Sequence, residues 1–132
     1  MEVIFSESGV RYDRGSVSEG RSKPDFLFPG GKEYRDPGVD AVFLTMLGVK
    51  SSCKDRWRQV LAEARRIERK HLLTLETAIS QNQTDQMRDE NLQLVLPKAL
   101  HSTYTVAQQN ELLDVAGFIR VVQDKQARMK AA

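Results

Sequence analysis

The sequence predicts an α/β fold with a mixed central β-sheet flanked by helices, and three observations carry that prediction. Short apolar runs rich in aromatic and β-branched residues, EVIF, DFLF and AVFLTMLGVK, fall within the first fifty positions. In the second half, strand-like runs alternate with segments of helical apolar spacing, the pattern of parallel strands joined by helical crossovers. The run at residues 41–50 is apolar almost throughout, as a strand buried on both sheet faces must be.

Taken in order, EVIF reads as a short first strand, and residues 6–23, rich in Ser, Gly and charge, as a loop or edge segment. PDFLFPGG, residues 24–31, reads as a strand closed by a Pro-Gly-Gly turn, and residues 32–39 as a polar connection. After the strand at 41–50, Ser51, Ser52 and Asp55 are candidate N-caps for a helix running to about Lys70. Its apolar face would hold Trp57, Val60, Leu61, Ala64 and Ile67, spaced three or four apart or adjacent. A strand at 71–77, a short helix from Thr84 to Asn91, a strand at 92–97 and a long amphipathic helix from 105 to 127 complete the chain.

At 132 residues, the expectation is a single domain spanning 1–132. The formal net charge of +2 is too mild to define a partner, but its distribution is uneven. Between Lys50 and Lys70 there are eight Lys or Arg against three Asp or Glu, a local basic excess of the kind that meets nucleic acid. One cysteine, Cys53, excludes an internal disulfide framework and points to a reducing, cytoplasmic setting. No apolar run is long enough to span a membrane and MEVIFSESGV has no signal-peptide pattern, so an intracellular, soluble protein is expected.

Metal-assisted cleavage of a phosphodiester needs carboxylates for a hard cation, a cationic group at the reacting phosphate, and a scaffold that brings them together. Asp25, after Pro24, opens one strand; Lys50 closes the next long one. If those strands are neighbours, the two side chains meet at one end of the sheet. Glu63, thirteen residues beyond Lys50, would return from the following helix, so the second carboxylate follows the lysine. Lys54, Asp55 and Arg56 stand at the mouth of that helix. Lys and Arg donate to the O6 and N7 of guanine and Asp accepts from the amino group of cytosine, each contact contributing roughly 1–3 kcal/mol of discrimination.

KPDFLFP, TMLGVKSSCKDRWRQVLAEA and LVLPKALH resemble the catalytic domain of the EcoRII type II restriction endonucleases, in the restriction-endonuclease-like PD-(D/E)xK superfamily. The likeness runs from about Ser22 to about Gln126, and the block from Lys50 to Gln59 is its most specific part. It implies a restriction-endonuclease-like core and magnesium-dependent hydrolysis of double-stranded DNA at a short CC-A/T-GG-like site. Asp25, Lys50 and Glu63 would be catalytic, with Mg2+ on Asp25 and Glu63 and the Val49 carbonyl as a further donor. Lys54, Asp55 and Arg56 would read the outer C:G pairs, and Arg58 and Gln59 would meet the DNA backbone. A homodimer is implied by a near-palindromic site, and no organic cofactor or membrane is expected. The family's domains carry a helical region before the PD strand, where this chain has twenty-three residues.

Plainer readings stand beside these. Asp25 and Lys50 also suit an ordinary strand start and strand end, and Trp57 suits core packing better than base stacking. His71 and His101 are isolated, and Cys53 has no evident catalytic partner. Rivals to a sequence-specific nuclease are a DNA-binding core without cleavage, a structure-specific repair-type nuclease, and an interaction protein that uses its last helix.

Overall fold

Five strands form one mixed sheet in the order β1-β2-β3-β4-β5: β1 Asp13–Arg14, β2 Phe26–Phe28, β3 Thr45–Lys50, β4 Lys70–Thr74 and β5 Leu92–Val95. This computed structural model describes residues 1–132 except Arg21 and Asp55. The first three strands are antiparallel; β3, β4 and β5 are parallel, which requires the crossovers that the second half supplies. The helices are α1 Glu2–Glu7, α2 Gly31–Arg35, α3 Gln81–Asp89, α4 Val106–Gln109 and α5 Val115–Ala131. Short 3₁₀ segments lie at Ala41–Phe43, Trp57–Ala62 and Lys98–Thr103. Among the described residues, no helix is long and apolar enough to cross a membrane.

Side chains alternate across a strand, and here the alternation sorts the core into two layers. Leu27, Met46, Leu72 and Leu94 face one way, onto Trp57, Val60, Ala64, Ile67 and, from α3, Met87. Phe26, Phe28, Leu47, Leu73 and Val95 face the other, onto Phe5 of α1 and Phe118, Ile119 and Val122 of α5. Phe5 anchors the second layer through edge-on contacts with Phe26 and Phe28, each at 5.2 Å between ring centroids. Burial of each such Leu or Phe stabilises the fold by about 1.5–3 kcal/mol.

Four strands and α3 occur where the apolar runs place them, with shifted ends. Other expectations are corrected. EVIF is helical: only Phe5 is buried, while Val3 is 68% and Ile4 41% exposed, a one-sided burial that a four-residue apolar run does not reveal. Within 6–23, Asp13–Arg14 pairs with β2, and within 32–39 the chain forms α2. The expected final helix is two helices. Between them Leu113 exchanges backbone hydrogen bonds with β5, donating to Leu94 O (3.2 Å) and accepting from Leu96 N (2.9 Å). Asp114 then caps α5 by accepting from Gly117 N at 2.6 Å.

The largest departure concerns the expected helix from about residue 51 to Lys70: among the described residues before β4, a 3₁₀ segment, Trp57–Ala62, stands in place of a long α-helix. The apolar spacing is honoured, since Trp57, Val60, Ala64 and Ile67 are all buried. The helical hydrogen bonds are replaced by bonds to distant side chains. Arg65 N donates to Glu19 Oε1 (3.1 Å), Arg66 N to Tyr34 Oη (3.0 Å), and Ala64 O accepts from Lys70 Nζ (2.9 Å). With its polar groups satisfied that way, the backbone has no need of the helix.

Candidate active site

Strand register brings Asp25 and Lys50 to one end of one sheet face. Phe26 stands opposite Leu47, so Asp25, one residue earlier, stands opposite Gly48. By alternation Asp25 shares the face of Leu27, while Gly48 and Lys50 share that of Met46, and both belong to the same layer. The Asp25 carboxylate accepts a hydrogen bond from Val49 N at 2.7 Å, which fixes it across the two strands. Lys50, half-buried, is the last residue of β3 and pairs with Thr74 of β4.

Glu63 is delivered to the same end by close packing. Gly48 leaves the face of β3 bare, and a β-carbon there would lie 3.4 Å from both methyl groups of Val60. The 3₁₀ segment therefore rests on β3 at Gly48, and Glu63 follows it in extended conformation (φ −86°, ψ 151°). Burial pushes the Glu63 carboxyl up, and the Asp25 carboxylate pushes it further, against the pull of Lys50 and Lys70. Asp25 and Lys50 thus both lie within electrostatic reach of Glu63. Arg56 and Glu63 flank the 3₁₀ segment at its two ends.

Three residues that sequence reasoning passed over hold Glu63 in place. Ala64, the next residue, is fully buried in the left-handed region (φ 47°), a conformation that costs about 1–2 kcal/mol for a residue with a β-carbon. Lys70, only 5% exposed, secures the turn by donating to Ala64 O and to Ile67 O. Burial lowers the Lys70 pKa, while Glu19, Glu63 and Glu68 act to raise it. Glu19 receives Tyr34 Oη at 2.6 Å as well as Arg65 N; burial opposes its ionisation, but these bonds outweigh burial and its pKa is lowered. The Tyr34 hydroxyl is pushed up to about 12, first by burial and then by Glu19. Lys70 had a readable signal, a cation on the buried parity of a strand; Glu19, 46 positions from Arg65, had none.

Of the residues expected to read bases, Lys54 and Arg56 are exposed, and Arg56 Nη2 donates to Ser52 O at 3.3 Å. Asp55 lies outside the described residues. Arg58 lies over the Trp57 ring (4.4 Å) and donates to Gln86 Oε1 at 2.5 Å, so its guanidinium is engaged within its own chain. Gln59 is exposed, and Trp57 belongs to the core. His71 lies in the other layer against Phe118, its pKa lowered to about 3 by burial, with Lys125 and Arg69 adding to the effect. His101 Nε2 is 2.9 Å from Leu96 O. Burial pushes the Cys53 thiol up, which suits a structural cysteine.

The donor set fits a hard divalent cation. The Asp25 carboxylate opposes the ionisation of Glu63, and a cation held by the two would relieve that opposition. Among the described residues, no group of three or more His, Cys, Asp and Glu forms a metal cluster. Small hard cations of the magnesium kind need only one or two carboxylates, because they keep several of their waters.

This sheet, with its layers and strand-end cluster, has the restriction-endonuclease fold. Two solved structures of metal-depleted Ecl18kI, in complex with uncleaved DNA and with uncleaved, modified DNA, superpose with a TM-score of 0.79 at 18% identity, covering 96% of this chain and 43% of theirs. The chain belongs to the EcoRII C-terminal family, whose model matches residues 1–119. It is 42% identical over 120 residues to the type II restriction enzyme EcoRII of Escherichia coli, an alignment covering 90% of this chain and 30% of that enzyme.

Proposed function

We propose that this chain is the catalytic core of a sequence-specific, magnesium-dependent endonuclease acting on double-stranded DNA at a CC-A/T-GG-like site. The observation that carries the proposal is the gathering of Asp25, Lys50 and Glu63 at one strand end in a chain of the EcoRII C-terminal family. Asp25 and Glu63 would hold the cation, which when bound supplies charge neutralisation at the phosphate and lowers the pKa of its waters. Asp25 is held by Val49 N, so its orientation precedes binding. The Lys50 ammonium stabilises negative charge on the phosphate and orients the attacking water. Glu63 must be ionised to serve, and its raised pKa delays that ionisation to higher pH than for an ordinary carboxylate.

Lys54 and Arg56, exposed on the loop after β3, would read base edges together with Asp55, and Arg58 and Gln59 would meet the DNA backbone. A homodimer would present two such loops to a near-palindromic site, and a restriction role belongs in the cytoplasm. DNA binding weakens with salt in proportion to the phosphates neutralised.

The test is cleavage of plasmid DNA carrying CC-A/T-GG sites, with magnesium, with EDTA, and with Lys50→Ala. Discrete fragments that disappear in both controls support the proposal. An intact plasmid combined with site-selective binding would instead support a DNA-binding core without cleavage.

A further inference from the structure

We infer that Glu76 is a positioning residue for sequence readout: its carboxylate anchors the loop that presents Lys54 and Arg56. The inference rests on the reading of those two residues as base contacts. Glu76 follows β4, and Oε1 accepts from Ser52 Oγ at 2.9 Å. The Ser52 hydroxyl is the largest contributor to a Glu76 pKa held below the ordinary value, with smaller contributions from the neighbouring Cys53 and Lys54. One side chain thus ties the end of β4 to the loop at Ser52, two residues before Lys54.

The anchor is itself fixed at both ends of its backbone. Glu76 N donates to Thr74 Oγ1 at 3.1 Å, and Glu76 O accepts from Tyr104 Oη at 2.5 Å. Thr74 Oγ1 also donates to Ser51 O at 3.4 Å, a second tie between the end of β4 and the loop. Downstream the geometry passes to the reading side: Cys53, fully buried, accepts from Arg56 N and Trp57 N at 3.1 Å each, and Ser52 O receives the Arg56 guanidinium. A carboxylate beside Lys54 weakens the attraction of this surface for phosphate. Its presence there is accounted for by order in the loop, which serves discrimination at some expense of general affinity.

The test measures binding in EDTA, so that no cleavage intervenes, to a duplex carrying CC-A/T-GG and to the same duplex with one outer C:G pair exchanged. Wild type, Glu76→Gln and Glu76→Ala are compared, with thermal unfolding and amide hydrogen exchange at Cys53 and Lys54. For Glu76→Ala, the ratio of the two affinities falls about tenfold, the worth of one misplaced base contact. Binding to the exchanged duplex holds or tightens, and the two amides exchange faster. Glu76→Gln, which keeps an acceptor for Ser52, stays within about threefold of wild type. An unchanged ratio in Glu76→Ala, or an equal loss on both duplexes, overturns the inference while leaving the base-reading roles standing. A wild-type chain that does not discriminate overturns those roles, and the inference with them.

Discussion

Replacing Gly48 tests whether the packing of Val60 on β3 sets the position of Glu63. A β-carbon at Gly48 would meet Val60 Cγ1 and Cγ2 at 3.4 Å and Leu72 Cδ1 at 3.6 Å, which is ordinary contact. Gly48→Ala therefore fits, and removing a strand-interior glycine offsets what small adjustment Val60 makes, so stability stays within about 1 kcal/mol of wild type. Gly48→Val adds two methyl groups beyond that β-carbon, and at least one enters the space of Val60 or Leu72. Overpacking of this kind costs about 1–3 kcal/mol. For a chain of this length that lowers the thermal midpoint by about 3–12 °C. The relief is to lift the 3₁₀ segment from the strand, which carries Glu63 away from Asp25 and Lys50. A displacement of about 1 Å in a catalytic group costs about a hundredfold in rate. The paired assay is thermal unfolding and magnesium-dependent plasmid cleavage at a temperature where both variants are folded. Gly48→Val should lose cleavage far beyond its loss of folded protein, while Gly48→Ala keeps both. Full cleavage by the Val variant would refute the claim that this contact positions Glu63.

Asp25→Asn should lower the Glu63 pKa, followed by carboxyl NMR, because it removes a charge that opposes Glu63 ionisation; an unmoved titration would separate the two residues. In the wild type, cation binding should be lost on acidification at a higher pH than an ordinary carboxylate implies, as Glu63 protonates. Lys70→Met should destabilise the fold by about 1 kcal/mol: Ile67 O loses its Lys70 donor while Ala64 O keeps its bond from Ile67 N, and the loss is partly offset by no longer burying an ammonium; an unchanged denaturant midpoint would remove Lys70 as the clamp on the turn after Glu63. His71, with a pKa of 6.5 when exposed and about 3 when folded, takes up a proton in the unfolded chain first. Its contribution is complete above about pH 6.5 and declines as pH falls toward 3, by up to about 5 kcal/mol in all. His71→Leu should flatten the acid limb of the stability curve, and an acid limb identical to wild type would contradict the burial of a neutral imidazole.

The parts of the fold legible in the sequence are those whose burial is written locally. β2, β3 and β5 declare themselves because both sheet faces are covered, so their runs are mostly apolar, whereas β4 is marked by Leu72 and Leu73 between buried polar residues. The same local logic placed Asp25 and Lys50, each at the end of such a run. What was not legible depends on partners far along the chain. The spacing of Trp57, Val60, Ala64 and Ile67 reads as a helix, yet it is equally the spacing of a 3₁₀ segment and a left-handed turn that bury the same side chains. The choice between them is made by Glu19, Tyr34 and Lys70, which supply the hydrogen bonds a helix would have used.

That substitution also explains why Glu63 lies within electrostatic reach of Asp25 and Lys50. In a continuous helix from residue 55 to 70, Glu63 would face the direction its helical phase assigns, tied to the residues one and two turns away. The extended backbone at Glu63 and the left-handed Ala64 release it from that phase, and the side chain turns toward the strand ends where Asp25 and Lys50 wait. The cost of the left-handed residue is met by tertiary hydrogen bonds elsewhere, as expected where local strain serves a site. The role proposed for Glu63 therefore comes from family resemblance and not from its helical spacing.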